Sequence, residues 1–186
     1  MKTILLLGAG RSSGSLIQYL LQKAESKDFR LRIGEKEVHL AEEKIKGHPR
    51  GSAFSFDILD ADQRREAIMN ADLVISLLPP ALHFHAAADC LQYGKNLVTA
   101  SYISPEIKAL DDEARAKGLL FLNECGLDPG IDHMSAMEII HRLQTEGATL
   151  TSFQSYTGGL VAPESNDNPW GYKFTWNPRN VIVAGQ

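Results

Sequence analysis

The chain has 186 residues, of which 44% are apolar and 23% charged, and its formal net charge is −4. This composition is typical of a globular protein with a buried core, and the negative net charge argues against an extended nucleic-acid surface, which needs clustered basic side chains. Two distant cysteines without a metal motif and no apolar run of membrane-spanning length favour a cytoplasmic protein that does not bind a membrane.

Short apolar runs alternate with helical patterns along the first two thirds of the chain. The run from Ile4 to Leu7 ends at Gly8, as expected of a strand that is buried on both faces, and apolar residues at helical spacing follow it. Further strands are predicted over 29–33, 53–56, 73–78, 96–100 and 119–122, and helices over 38–46, 64–70, 82–93 and 104–118. Asp60, with Gln63 three residues later, is predicted to cap the helix over 64–70. Six strands with helical crossovers predict an α/β protein with a doubly wound, parallel Rossmann sheet.

The pattern changes after Cys125. A helix is predicted over 131–145 and a strand over 149–156, and the chain then becomes rich in Pro, Asn and Trp. We therefore expect a dinucleotide-binding domain over residues 1–125. Residues 126–186 are expected to begin a second α+β domain that is incomplete, which would leave apolar side chains such as Phe153, Trp170 and Trp176 exposed for self-association.

A glycine-rich loop follows the first predicted strand. Gly8, Gly10 and Gly14 form a GxGxxxG motif, and Arg11, Ser12 and Ser13 stand before its last glycine. One glycine permits a tight turn, another lets the backbone approach a pyrophosphate, and the N-terminus of the next helix attracts phosphate. The serine hydroxyls offer further donors. An ordinary glycine turn is the alternative, but the strand before the loop and the helix after it favour dinucleotide binding.

Charged residues after the second and third strands bear on the choice of cofactor. Glu35 lies where a carboxylate accepts hydrogen bonds from the adenosine ribose hydroxyls, which favours NAD. Lys36, together with Arg11, could instead neutralise a 2′-phosphate, so NADP remains open, and a solvated charged turn is a third alternative. Asp57 and Ile58 are placed to contact adenine, although Asp57 could equally be a turn residue.

The carboxyl ends of the later strands are the expected place for chemistry, because ligands of open α/β sheets lie there. Leu78 and Ala100 are expected to contact the cofactor. Asp128 is a candidate catalytic acid–base group, and the alternative is a turn residue that caps the helix beginning near Ile131. Tyr102 is either a donor to substrate or an aromatic lid over the core.

The histidines predict no metal site. His83 and His85 are two residues apart, so they face different sides of the predicted helix. His133 follows Asp132 in the first turn of a later helix, and we regard it as a minor candidate for catalysis.

Several strings along the chain resemble saccharopine reductase, the glutamate-forming saccharopine dehydrogenase family. They are ISLLPP (75–80), VTASYISPEIKALDDEA (98–114), NECGLDPGIDHM (123–134), SYTGGLVAPESNDNPWGYKFTWNPRN (155–180) and the closing AGQ. The resemblance runs in order over essentially the whole chain, and the string GLDPGIDH is far more specific than a glycine loop.

The resemblance implies an oxidoreductase of lysine metabolism. Such an enzyme interconverts saccharopine with glutamate and 2-aminoadipate 6-semialdehyde through an imine, with NAD or NADP as cofactor. It implies that Ser101 and Tyr102 contact this small amino-acid substrate and that Asp128 lies near the reacting carbon. Thr157 is a further expected substrate contact. It stands where the family string has cysteine, so it keeps a hydrogen-bond donor but lacks a titratable thiol. A homodimer is also expected.

Members of this family are considerably longer than this chain. After Asp128, the cations available to a substrate with several carboxylates are Arg142, Lys173 and Arg179. We therefore expect an N-terminal part or a shortened relative that binds dinucleotide with little turnover of saccharopine. Two alternatives remain: an imine reductase that resembles carboxynorspermidine synthase, and a dinucleotide-binding protein without turnover.

Overall fold

The computed structural model describes residues 1–156 and 158–173, and the chain divides into two compact units, Met1–Ser135 and Ala136–Gln186. The first unit contains a six-stranded sheet in which every neighbouring pair of strands is parallel. Its strand order is β3-β2-β1-β4-β5-β6. Strands β2 and β3 follow on one side of β1 and strands β4 to β6 on the other, which confirms the predicted doubly wound α/β fold.

The elements alternate along the chain as the sequence predicts. The strands are β1 (Lys2–Leu7), β2 (Phe29–Glu35), β3 (Gly51–Ser55), β4 (Leu73–Ser76), β5 (Asn96–Thr99) and β6 (Phe121–Leu122). The helices are α1 (Gly14–Ala24), α2 (Val38–Ile45), α3 (Ala61–Met69), α4 (His83–Tyr93), α5 (Pro105–Lys108), α6 (Asp111–Ala116) and α7 (Ile131–Thr145).

The central strand β1 joins two apolar cores. Its side chains alternate between the faces of the sheet, so Leu5 and Leu7 belong to one core and Leu6 to the other. Ile68 of α3 packs in the first core, and Ile17 of α1 packs in the second. Both faces of the sheet are therefore covered by helices, which explains why the strand sequence is continuously apolar.

Side-chain caps fix several helix ends. Asp60 accepts hydrogen bonds from the backbone N–H groups of Asp62 and Gln63, which confirms the predicted cap of α3. The helix predicted over 104–118 is instead divided into α5 and α6. The amide of Leu110 bonds to the carbonyl of Ile107, three residues back, and this interrupts the regular ladder between them.

Between Ala136 and Lys173, the described residues contain the rest of α7 and one short 3-10 turn over Pro163–Ser165. The bounds of α7 match the prediction, whereas the strand predicted over 149–156 is wrong, because these residues have no regular secondary structure. A strand forms only when its backbone groups pair with a neighbour, and none of the described residues provides that neighbour. No helix among the described residues is long and apolar enough to span a membrane.

Candidate functional site

The first two glycines of the loop, Gly8 and Gly10, are required for different structural reasons. Gly8 has φ +95°, and an added Cβ would lie 3.1 Å from the carbonyl oxygen of Leu77. The turn therefore requires glycine at this position. Gly10 has φ −61°, and an added Cβ there would meet no atom within 4 Å. The open space before Gly10 is what close approach of a phosphate to the backbone needs.

Glu35 links the end of β2 to the glycine loop. Its Oε2 accepts a hydrogen bond from the amide of Ala9 at 2.6 Å, and its Oε1 accepts from the amides of Lys36 at 2.7 Å and Glu37 at 3.3 Å. Glu35 is therefore more than part of a solvated charged turn. A carboxylate has about four acceptor positions, so these three bonds leave about one position for a ribose hydroxyl.

The inner side of the loop is held by groups of its own and by α2. Ser13 is buried, and its hydroxyl donates to the carbonyl of Gly10 at 2.8 Å. Lys44 of α2 donates to the carbonyls of Ala9 and Gly10 and to the Ser13 hydroxyl. Because the Ser13 hydroxyl is engaged inside the loop, Ser12 carries the exposed hydroxyl of the pair. A phosphate contact by Ser13 remains a prediction.

A cavity of about 210 Å³ lies at the carboxyl ends of β1 to β4. Its lining residues are Gly8, Gly34, Glu35, Lys36, Phe56, Asp57, Ile58, Leu59, Leu78 and Leu82. Six of these are among the predicted cofactor contacts, so the fold brings them together although they come from four segments. The apolar walls suit a flat base, and the charged groups at one end suit a ribose.

Lys36 and Asp57 form an ion pair on the rim of this cavity. The ammonium lies 3.2 Å from Oδ2 of Asp57, and the side chains are 79% and 39% exposed. The amide of Leu59 and then Lys36 lower the pKa of Asp57 by hydrogen bonding to its carboxylate. Asp57 is thus a turn residue that also lines the cavity, and its contact with adenine remains a prediction.

A second polar cluster lies beyond β5 and β6. The hydroxyl of Tyr102 donates to Oδ1 of Asp128 at 2.7 Å, and this hydrogen bond is the main cause that raises the pKa of Tyr102 to about 12. Asp128 therefore pairs with a phenol. The amide of Gly130, just before α7, donates to Oδ1 of Asp132 at 3.0 Å. The alternative that Asp128 serves to cap α7 is not what the structure shows.

Backbone pairing beyond β5 and β6 brings these two side chains together. The amide of Cys125 bonds to the carbonyl of Thr99 at 3.0 Å, and that of Glu124 to the carbonyl of Ser101 at 3.1 Å. Gly126 packs so closely on β5 that an added Cβ would lie 2.9 Å from the carbonyl oxygen of Ala100. The string after β6 therefore has a fixed position beside the residues after β5.

A buried histidine, which sequence reasoning dismissed as a metal ligand and otherwise missed, connects three elements. His83 is 2% exposed; its Nδ1 lies 2.8 Å from the Ser76 hydroxyl and its Nε2 lies 2.8 Å from the Ser101 hydroxyl. Burial lowers the pKa of His83 to about 4, so the ring is neutral near pH 7. The only signal in the sequence was a histidine soon after a strand that ends in serine.

Other predicted residues are not part of these clusters. Arg11 is exposed in the loop, and Ala100 is half-buried next to Gly126. Thr157 lies outside the described residues. His133 bonds to its neighbour Asp132 at 2.8 Å. Over residues 1–156 and 158–173, no group of three or more His, Cys, Asp or Glu side chains is arranged to hold a metal ion.

Two family models match the chain. The model of the saccharopine dehydrogenase NADP binding domain matches residues 4–122, and that of the saccharopine dehydrogenase C-terminal domain matches residues 126–186. Together they confirm the resemblance that the strand-end strings indicate.

Individual relatives agree with the family models. Saccharopine dehydrogenase (NADP(+), L-glutamate-forming) of Saccharomyces cerevisiae is 39% identical over 98% of this chain, and its counterpart in Schizosaccharomyces pombe is 36% identical over 99%. Each match covers 40% of the relative, so the chain spans about 40% of the length of these relatives. The mitochondrial alpha-aminoadipic semialdehyde synthase of Rattus norvegicus is 38% identical over 98% of this chain and 19% of its own length.

A solved structure has the same fold. The apo form of saccharopine dehydrogenase (L-Glu forming) from Saccharomyces cerevisiae superposes with a TM-score of 0.84 at 36% identity. The match covers 99% of this chain and 40% of that protein.

Proposed function

Since the chain belongs to the saccharopine dehydrogenase family, we propose that it carries the dinucleotide site and part of the substrate site of an oxidoreductase that interconverts saccharopine with glutamate and 2-aminoadipate 6-semialdehyde. The observation that carries this proposal is the 2.7 Å hydrogen bond between Tyr102 and Asp128 at the carboxyl ends of β5 and β6. Ligands of open parallel sheets bind at such ends.

The reaction needs a base near the substrate nitrogen. In the oxidative direction the secondary amine of saccharopine loses a hydride from carbon and a proton from nitrogen, and water then cleaves the resulting imine. A nicotinamide held by the glycine loop and the cavity would supply the hydride acceptor. The carboxylate of Asp128 is the group we assign to the proton, since it accepts one hydrogen bond from Tyr102 and has acceptor capacity left.

Tyr102 has a complementary role in this proposal. Because the pKa of Tyr102 is raised to about 12, the phenol keeps its proton at physiological pH and acts as a donor. Its hydrogen bond fixes the orientation of the Asp128 carboxylate before substrate binds. Ser101 is the adjacent substrate contact, and its hydroxyl is oriented by His83.

The dinucleotide would lie along the loop and the cavity. We assign the pyrophosphate to the space before Gly10 and to the N-terminal end of the helical segment that begins at Arg11, because the backbone N–H groups there lack partners within the helix. The adenosine is assigned to the cavity at the ends of β1 to β4. The apolar side chains of Phe56, Ile58 and Leu78 would contact the base.

We further propose that NAD is preferred to NADP, although the fungal relatives are named for NADP(+). The cavity rim carries the carboxylates of Glu35 and Asp57 and the single ammonium of Lys36. Asp57 neutralises Lys36 at 3.2 Å. The charge of Glu35 repels a 2′-phosphate, and its remaining acceptor position suits a hydroxyl of an unmodified ribose.

A spectrophotometric screen tests the reaction. Oxidation of NADH and NADPH is followed with 2-aminoadipate 6-semialdehyde plus glutamate and, separately, with aspartate semialdehyde plus a diamine. Saccharopine binding to the dinucleotide complex is measured by calorimetry on the same preparation. We expect the first substrate pair to be used and the Asp128→Asn variant to lose turnover by about 100-fold or more.

The matched control is Asp62→Asn, which removes a carboxylate that is 84% exposed on α3. Turnover with the second pair alone would identify an imine reductase of the polyamine type. Tight dinucleotide binding without saccharopine binding or turnover would identify a dinucleotide-binding protein.

We also propose a cytoplasmic location and a homodimer. The location rests on the acidic, cysteine-poor composition. The large exposed side chains of Phe153 and Trp170, 56% and 86% exposed, support self-association through the second unit. Light scattering measures the mass of the particle, and a monomer at all concentrations would contradict the dimer.

A further inference from the structure

Lys44 makes an unusual set of contacts for a surface-helix lysine. Its ammonium donates to the carbonyl of Ala9, to the carbonyl of Gly10 at 2.6 Å and to the hydroxyl of Ser13 at 3.1 Å. An ammonium has three N–H donors, so all of them are directed to one loop. Gln18 of α1 donates to the carbonyl of Lys44 at 2.5 Å, which ties the end of α2 to the helix that follows the loop.

These contacts, together with the Ser13 amide and hydroxyl that also donate to the carbonyl of Gly10, determine which way the loop amides point. The carbonyl of Ala9 shares a peptide plane with the amide of Gly10, and the carbonyl of Gly10 shares one with the amide of Arg11. Among the described residues the one cis peptide is Asp128-Pro129, so both of these planes are trans. In a trans peptide the C=O and N–H groups point in opposite directions. Carbonyls that face Lys44 therefore turn these two amides to the opposite side of the loop.

The opposite side is the side that is open. An added Cβ at Gly10 would meet no atom within 4 Å, and Arg11 and Ser12 are exposed. Two adjacent N–H groups that point into open space form a small anion-binding concavity. None of the ion pairs among the described residues involves Lys44, so its positive charge is not neutralised by a carboxylate and also favours an anion on the loop.

We propose that Lys44 is a positioning residue for the dinucleotide, which holds the loop carbonyls away so that the amides of Gly10 and Arg11 face the pyrophosphate. This inference rests on the dinucleotide-binding part of the proposed function and is independent of the amino-acid substrate. Nothing in the glycine motif itself indicates Lys44, which lies more than thirty residues further along the chain.

The test compares ligands with and without phosphate. The 186-residue chain, its Lys44→Met variant and a Lys46→Met control are titrated with NADH, NADPH and adenosine. Lys46 is exposed and lies two residues away, so its substitution removes the same charge without the loop contacts. Adenosine has no phosphate, so in the proposed site it would occupy the cavity without contacting the amides of Gly10 and Arg11.

We expect Lys44→Met to weaken the preferred dinucleotide about tenfold or more, because charge-supported contacts to the pyrophosphate are lost. Adenosine affinity should stay within about twofold, and Lys46→Met should stay close to wild type for both ligands. Dinucleotide affinity within about threefold of wild type, in a folded variant, would overturn the proposal. An equal loss for adenosine would overturn it too, because it would indicate general damage to the site.

A second variant and the wild type complete the design. If Lys44→Met does not fold, Lys44→Gln serves with the same thresholds, since it keeps a donor for one carbonyl and removes the charge. A wild-type chain that binds neither dinucleotide would overturn both this inference and the proposed function. Dinucleotide binding that depends on Lys44, in a chain that does not turn over saccharopine, supports this inference alone.

Discussion

Gly8 and Gly10 belong to one motif, but substitutions at the two positions should change different properties: stability at Gly8 and dinucleotide affinity at Gly10. At Gly8, φ is +95° and an added Cβ would lie 3.1 Å from a backbone oxygen. A side chain at such a φ costs about 1 to 3 kcal/mol, and crowding adds about 1 kcal/mol. Gly8→Ala should therefore lower the free energy of unfolding by about 2 to 4 kcal/mol, which corresponds to a melting temperature lower by about 4 to 16 °C.

Gly10→Val should leave the fold intact. Its φ of −61° is ordinary for any residue, and the space around it is open, so we expect a stability change within about 1 kcal/mol. The branched side chain would instead occupy the space of the pyrophosphate. Loss of two charge-assisted hydrogen bonds, each about 1.5 to 3 kcal/mol, should weaken dinucleotide binding by about 100-fold or more.

Thermal unfolding by circular dichroism and calorimetric titration with NADH and NADPH separate the two effects. Gly10→Ala is a milder companion variant and should give an intermediate loss of affinity at unchanged stability. The reasoning is refuted if Gly10→Val is folded and binds dinucleotide as wild type does, or if Gly8→Ala is as stable as wild type.

Three further predictions concern cofactor choice, a buried ion pair and a buried histidine. Glu35→Ser should shift the ratio of NADP to NAD affinity toward NADP by about tenfold or more in competition titrations, and a wild-type preference for NADP would contradict the role of Glu35. Asp89→Ala leaves the guanidinium of Arg64, 13% exposed and bonded to Asp89 at 2.6 Å, without its carboxylate. It should cost about 3 to 5 kcal/mol in urea denaturation, and a loss below about 1 kcal/mol would show that the pair is dispensable. Burial places the folded-state pKa of His83 at about 4, below its unfolded value, so the unfolded chain binds this proton more tightly. Stability should therefore fall by up to about 3 kcal/mol as the pH drops from 6.5 to 4, and His83→Gln should reduce this slope; an unchanged slope would show that His83 does not cause it.

The sheet was predictable from the sequence because each crossover leaves a local signal. The strand from Ile4 to Leu7 and the helix cap at Asp60 each follow from residues that are close together in the sequence, and both are observed. The strand over 149–156 failed for a related reason: an alternating pattern describes one strand and cannot show that a partner exists.

The candidate site was only partly predictable. Residues at the strand ends, such as Glu35 and Asp128, follow from topology and from the family strings. Lys44 and His83 were missed, because their hydrogen bonds join residues 34 and 18 positions apart. Such contacts depend on how a helix packs on the sheet, and the apolar periodicity of the helix does not predict them.

The backbone of Ala9 is held at both ends, since its amide donates to Glu35 and its carbonyl accepts from Lys44. Ordering a loop residue costs about 1 to 2 kcal/mol of conformational entropy. Because Glu35 and Lys44 already hold this residue in the free protein, the entropy is lost on folding and does not have to be lost again when a ligand binds. Association should then proceed without a slow rearrangement step, and the entropic penalty of binding should be small. Glu35 and Lys44 should therefore affect both the stability of the free protein and its affinity for dinucleotide, because both hold the backbone of Ala9.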